Sequence, residues 1–87
     1  MKEWLVYILL CNNDKLYTGI TNDMTKRYSN HLHGIGAKFT KVNRPIKIVY
    51  TEKCDTRSIA SKRECAIKKL THKQKLNIGI KYNGKYY

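Results

Sequence analysis

The sequence predicts an α+β domain: a three-stranded antiparallel sheet with flanking helices, in the order β-β-α-β-α-α. Three observations carry that prediction. An apolar run near the N-terminus is followed, across a short polar turn, by a second stretch of strand composition. A segment with capping residues and apolar side chains at helical spacing comes next, and then an alternating stretch. Two further segments with helix-start signals complete the chain. A hairpin first, with a helix between the second and third strands, is an α+β arrangement rather than a doubly wound one.

Trp4 to Cys11 (WLVYILLC) is apolar, β-branched and aromatic, and too short for a typical helix, so it reads as a strand buried on both faces. Asn12-Asn13-Asp14 is a turn signal, and Leu16 to Thr21 resumes strand composition around Gly19, which marks a close backbone approach. Loop length decides what this hairpin can do. A two-residue turn pairs Cys11 with Leu16 and sends Tyr7 and Tyr17 to opposite faces; a three-residue loop pairs Cys11 with Lys15 and brings them together. A shared tyrosine site therefore demands the odd loop or a bulge.

Thr21-Asn22-Asp23 supplies caps for a helix from about Met24 to His33, with Met24, Tyr28 and Leu32 as its apolar stripe, ended by Gly34 and Gly36. Gly34 to Pro45 is basic and polar around Phe39, which predicts a loop or short turn crossing the surface. Ile46 to Lys53 alternates Ile46, Ile48 and Tyr50 against Lys47, Val49 and Thr51, a third strand. Asp55 or Thr56 caps a helix to about Leu70, whose residues Ile59, Ala60, Ala66, Ile67 and Leu70 form one apolar arc. Arg63 falls in the middle of that arc, either snorkelling outward or lining a site. Thr71 caps a short helix from His72 to about Ile78, and the end of the chain is expected to be a hairpin or a frayed terminus. We read residues 1–80 as one domain and 81–87 as a basic, tyrosine-rich tail.

At 87 residues the chain holds one core. Lys and Arg number 18 against 6 Asp and Glu, a net charge of +12, which draws polyanions: nucleic acid or an anionic membrane surface. The basic residues are scattered through every segment rather than gathered beside one apolar helix face, so nucleic acid is the expected partner and a membrane is not. The longest apolar run, Trp4 to Cys11, falls well short of the roughly 20 residues a spanning helix needs, and the N-terminus does not read as a secretory signal. The three cysteines match neither a disulfide framework nor a paired zinc motif and are read as reduced thiols. A cytoplasmic monomer is expected.

Arg27 and His31 stand four residues apart on the first helix, at the border of its buried stripe. Glu64, one of only six acids, lies at the edge of the later apolar arc among Lys62, Arg63, Lys68 and Lys69. Two tyrosines, an arginine, a histidine and an isolated carboxylate are the parts that phosphodiester hydrolysis needs. A carboxylate with phosphate oxygens suits a hard cation such as Mg²⁺, which takes few protein ligands, and arginine offsets charge on the equatorial oxygens. An unperturbed tyrosine is only ~0.1% phenolate at neutral pH, so its use as a base needs a neighbouring cation. Taken singly, each residue has a plainer role: packing for the tyrosines, solvated surface for Arg27 and His31, a helix ion pair with Lys68 for Glu64.

Leu5-Val6-Tyr7, then Tyr17-Thr18-Gly19, then Arg27 and His31, then Glu64 resembles the GIY-YIG nuclease domain, and most closely its short stand-alone bacterial forms. The stretches Leu16 to Thr21, Gly36 to Thr40 and Arg63 to Lys68 are similar to that group. The resemblance implies hydrolysis of DNA, or RNA, with a divalent metal, Mg²⁺ or Mn²⁺. Tyr7 would be the base or orient the attacking water, with Tyr17 sharing its site. Arg27 would stabilise the transition state, His31 would hold a tyrosine hydroxyl or the phosphate, and Glu64 would bind the metal. Leu5 stands in place of the first motif's Gly and Thr18 in place of the second motif's Ile, changes of side chain more than of chemistry. Lys15, Lys26, Lys38, Lys41, Arg44, Arg63 and Lys68 are candidate contacts to nucleic acid. The competing reading is a nucleic-acid-binding module of the same fold that does not cleave; a docking domain for an acidic protein has only the charge in its favour.

Overall fold

The computed structural model describes residues 3–81. Strands β1 (Trp4–Cys11), β2 (Lys15–Thr21) and β3 (Pro45–Cys54) form one antiparallel sheet in the order β2-β1-β3. Helices α1 (Met24–Leu32), α2 (Lys38–Val42), α3 (Arg57–Lys68) and α4 (His72–Lys81) cover it. The β-β-α-β-α-α order holds, with α2 as one extra turn in the connection between α1 and β3. None of the helices among the described residues is long and apolar enough to cross a membrane.

β1 is central, which is why its sequence is apolar on both faces. One face carries Val6 and Ile8 against Ala60 and Ile67 of α3, with Tyr50 and Cys54 of β3. The other carries Tyr7, Leu9, Cys11 and Ile48, packed by Met24 and Tyr28 of α1. The sheet is thus a layer between α1 on one side and α3 on the other, and α4 joins the α3 side through Ile78.

The expected single alternation along β3 is broken. Ile8 pairs with Tyr50 but Leu9 pairs with Ile48, so Val49 is an extra residue in the ladder. This bulge turns Ile48 to the α1 side while Val49 and Tyr50 both join the α3 side. A second irregularity leaves Ile46 between the Leu10–Lys47 and Cys11–Pro45 pairs, and its side chain is exposed.

Helix starts follow the sequence closely. Asp23 Oδ1 accepts the Lys26 N–H at 3.2 Å, Thr56 Oγ1 accepts the Ile59 N–H at 3.1 Å, and Thr71 and Gln74 cap each other reciprocally. The α1 stripe differs from expectation: Met24 and Tyr28 are half-buried, Leu32 is 40% exposed, and the one fully buried residue of α1 is His31. Helix α4 continues through 79–81, where a hairpin or frayed end was expected; residues 82–87 lie outside the described residues.

Candidate active site

The hairpin loop is the odd one. Asn12–Asp14 form a three-residue loop, Cys11 pairs with Lys15, Leu9 with Tyr17 and Tyr7 with Gly19. Asn13 (φ 63°) and Asp14 (φ 59°) take the left-handed conformation that this loop needs, which Asn and Asp tolerate better than other non-glycine residues. The register brings Tyr7 and Tyr17 to the same face, with ring centroids 6.3 Å apart. Gly19 lies directly beneath Tyr7: a Cβ there would stand 2.5 Å from the Tyr7 hydroxyl oxygen and 2.7 Å from Cζ. Glycine at this position therefore lets the phenol lie across the β2 backbone.

Helix α1 brings Arg27 and His31 onto this tyrosine face. The Tyr7 hydroxyl shares a 2.8 Å hydrogen bond with His31 Nε2 and accepts one from Arg27 Nε at 3.3 Å. Tyr17 packs against the His31 ring, with centroids 5.1 Å apart, and stacks on Phe39 at 5.8 Å. Tyr7 and His31 are fully buried, whereas Tyr17 and Arg27 keep part of their surface in solvent.

Burial sets the protonation states. It pushes the Tyr7 phenol up to about 12 against the smaller opposing pull of the Arg27 hydrogen bond; the charges of Tyr17 and Glu64 push the same way as burial. The cation the base role requires is present, but desolvation outweighs it. Burial, reinforced by the positive charge of Arg27, lowers His31 to about 4, so its ring is neutral at pH 7.

Three residues of this cluster carried no assigned role in the sequence. Thr40, fully buried in α2, places its hydroxyl 2.6 Å from His31 Nδ1. Gly36 packs against the His31 ring, where a Cβ would collide with the imidazole. Phe39 forms the outer wall over Tyr17. All three lie in the segment expected to be a surface loop; its polar, basic composition conceals a short helix whose one buried side chain is a threonine. The Gly36 to Thr40 stretch was the available signal.

Glu64 projects from α3, which packs on β1 and β2 from the other side of the sheet, and its charge reaches Tyr7. Its side chain is only 19% exposed and pairs with Lys68 Nζ at 3.5 Å. Among the described residues no three or more His, Cys, Asp or Glu gather as a ready-made metal cage. A hard carboxylate whose charge is felt at Tyr7 fits a Mg²⁺-type cation, which takes one or two carboxylates and completes its shell with water and substrate phosphate; it does not fit a structural zinc.

The candidate phosphate contacts divide. Lys15 alternates with Tyr17 and Gly19 on the same side of β2, and Lys26 lies beside Arg27 at the start of α1. Lys38 and Lys41 are exposed on α2 next to Phe39, and Arg44 lies over Gly34. Lys68 is held by Glu64. Arg63 is turned to the other face, where its Nε donates to both Glu52 carboxylate oxygens at 3.0 Å, and Glu52 also accepts from the Tyr50 hydroxyl. Its place in the apolar arc is explained by that pairing with β3.

Residues 3–77 match the family model described as the GIY-YIG catalytic domain. The chain is similar to a UPF0213 protein of Staphylococcus epidermidis, 46% identical over 78 residues, which cover 90% of this chain and 95% of that one. A UPF0213 protein of Xanthomonas axonopodis pv. citri is 42% identical over 76 residues, 87% of this chain and 74% of that one. Among solved structures, the solution structure of protein EF2693 from E. faecalis superposes with a TM-score of 0.64 at 37% identity, covering 100% of this chain and 93% of that one. The UPF0213 protein BH0048 from Bacillus halodurans gives a TM-score of 0.56 at 32% identity, covering 97% and 87%.

Proposed function

The chain belongs to the GIY-YIG catalytic domain family, and from that premise we propose that it is a nuclease hydrolysing phosphodiester bonds of DNA or RNA. The observation that carries this reading is the convergence of Tyr7, Tyr17, Arg27 and His31 from three separate elements into one hydrogen-bonded and ring-packed cluster. Packing alone would not gather an arginine and a histidine around one buried phenol. The surplus of +12 supplies attraction for the backbone of the substrate.

Arg27 and Tyr17, the partly exposed members, meet the substrate first. As Arg27 turns onto the phosphate it stabilises charge developing on the equatorial oxygens and uncovers the Tyr7 oxygen. With its pKa near 12, Tyr7 holds no standing phenolate. It acts as a base only if its own proton leaves as it takes one from water. His31 is the group within reach to receive that proton, and an anionic phosphate beside Arg27 removes part of what disfavours the imidazolium. The water oxygen then bonds to phosphorus, the bond to the leaving oxygen breaks, and the departing oxygen takes a proton from solvent.

Glu64 is the residue that would hold a divalent cation, Mg²⁺ or Mn²⁺, whose chemistry when bound is to polarise phosphoryl oxygens. Lys15, Lys26, Lys38, Lys41 and Arg44 would track the nucleic-acid backbone in this reading.

The test is cleavage of single-stranded, duplex and branched substrates by purified protein with Mg²⁺ or Mn²⁺, using Glu64→Ala as the blank. Cleavage lost in that variant supports the reading. Salt-sensitive binding without cleavage of any substrate would overturn it in favour of a binding module.

A further inference from the structure

The hydrogens of the buried cluster can be counted. Thr40 Oγ1 has one hydrogen to give and two lone pairs to fill. It lies 3.1 Å from the Ala37 carbonyl, which only accepts, and 3.3 Å from the Ala37 N–H, which only donates. One lone pair takes the amide, and the hydroxyl hydrogen has two acceptors open to it, the Ala37 carbonyl, which also accepts the Lys41 N–H at 3.0 Å, and an unprotonated His31 Nδ1. With that hydrogen on the carbonyl, the remaining lone pair faces His31 Nδ1 at 2.6 Å and accepts a hydrogen from it.

The other end of the chain decides between the two. Arg27 Nε can only donate to the Tyr7 oxygen. The Tyr7 hydrogen needs an acceptor inside a fully buried site, because an unsatisfied hydroxyl there is costly, and His31 Nε2 at 2.8 Å is the partner in place.

We propose that Thr40 is a positioning residue that locks His31 in its Nδ1–H tautomer, leaving Nε2 unprotonated and aimed at the Tyr7 hydroxyl to receive its proton. The kinetic consequence rests on the nuclease reading; the tautomer does not. The lock is rigid because Thr40 is itself held by both backbone groups of Ala37 at the start of α2, while Gly36 lets the chain close on the imidazole. In the opposite tautomer His31 Nε2–H and Arg27 would both donate to the Tyr7 oxygen, and the phenol would have no neighbour to take its proton.

Two measurements on the full chain decide the matter. Long-range proton–nitrogen correlation spectra of the His31 ring are expected to show Nδ1–H in the wild type and in Thr40→Ser, and loss of that preference in Thr40→Val. Cleavage is expected to lose about 10- to 100-fold in kcat with little change in KM in Thr40→Val, by analogy with the loss when the orienting partner of a metal-bound histidine is removed, and to be retained in Thr40→Ser. A wild-type ring in the Nε2–H tautomer overturns the proposal even if Thr40→Val fails to fold. So does a Thr40→Val protein that cuts at the wild-type rate. Should His31 carry Nδ1–H while no substrate is cut, the tautomer lock stands and the nuclease reading fails.

Discussion

The Tyr7 hydroxyl lies 2.8 Å from His31 Nε2, and both side chains are fully buried. A polar contact this deep in a thin core is maintained only if every member is satisfied, so substitutions that displace either ring should be felt in both stability and chemistry.

Gly19→Ala places a methyl 2.5 Å from the oxygen of Tyr7, whose ring is fully buried and bonded to His31. We expect destabilisation of about 1–3 kcal/mol, a fall in melting temperature of several degrees, and loss of the Tyr7–His31 contact. Thermal unfolding combined with the His31 ring nitrogen shifts checks both; an unchanged melting temperature would show that the ring has room to move.

Thr18→Val should stabilise. Thr18 Oγ1 is buried without a partner on the α3 side of β2, so a shape-matched methyl removes a desolvation cost of about 1–2 kcal/mol. Denaturant unfolding is expected to show a higher midpoint at an unchanged slope. A lower midpoint would mean that the hydroxyl has a partner in solution.

Stability should fall between pH 7 and pH 5. The pKa of His31 is depressed in the fold from 6.5 to about 4, so in that interval the unfolded chain binds a proton that the folded chain refuses. Its stabilising contribution is complete above about 6.5 and is lost as pH falls toward 4, amounting to about 2 kcal/mol by pH 5. Urea titrations at the two pH values should show this loss in the wild type and a much flatter response in His31→Asn. An equal slope in the variant would assign the effect elsewhere.

Arg63 and Lys41 should behave differently toward nucleic acid. Arg63 is bound to Glu52 on the other side of the sheet, and Lys41 is exposed beside the Tyr17–Phe39 stack. Arg63→Gln is expected to leave the salt dependence of binding unchanged, while Lys41→Gln lowers the slope of log K against log salt by about 0.7–0.9. A reduced slope in Arg63→Gln would extend the contact surface to the α3 face.

Much of the architecture was legible because it depends on local signals. The apolar run of β1, the caps at Asp23, Thr56 and Thr71, and the odd loop required for a shared tyrosine site all reappear in the structure. Where expectation and structure part, the deciding interaction is between residues distant in sequence. Met24, Tyr28 and Leu32 look like a buried stripe, yet α1 buries His31, because Tyr7 and Thr40 satisfy both its ring nitrogens from other elements. The alternation of β3 could not reveal the Val49 bulge, which is a property of its pairing with β1.

From the sequence alone came the order of the elements, the positions of the helix starts, the excess of positive charge, and Tyr7, Tyr17, Arg27, His31 and Glu64 as candidate site residues, since periodicity, capping and motif order are carried by neighbours along the chain. The tertiary structure decided that Tyr7 is sealed beneath Tyr17 and Arg27, that Thr40 belongs to the cluster, and that Arg63 serves Glu52 instead of the site face. Those outcomes turn on desolvation and on the saturation of single hydrogen-bonding atoms. Both are set by which groups meet in space, and no pattern along the chain encodes them.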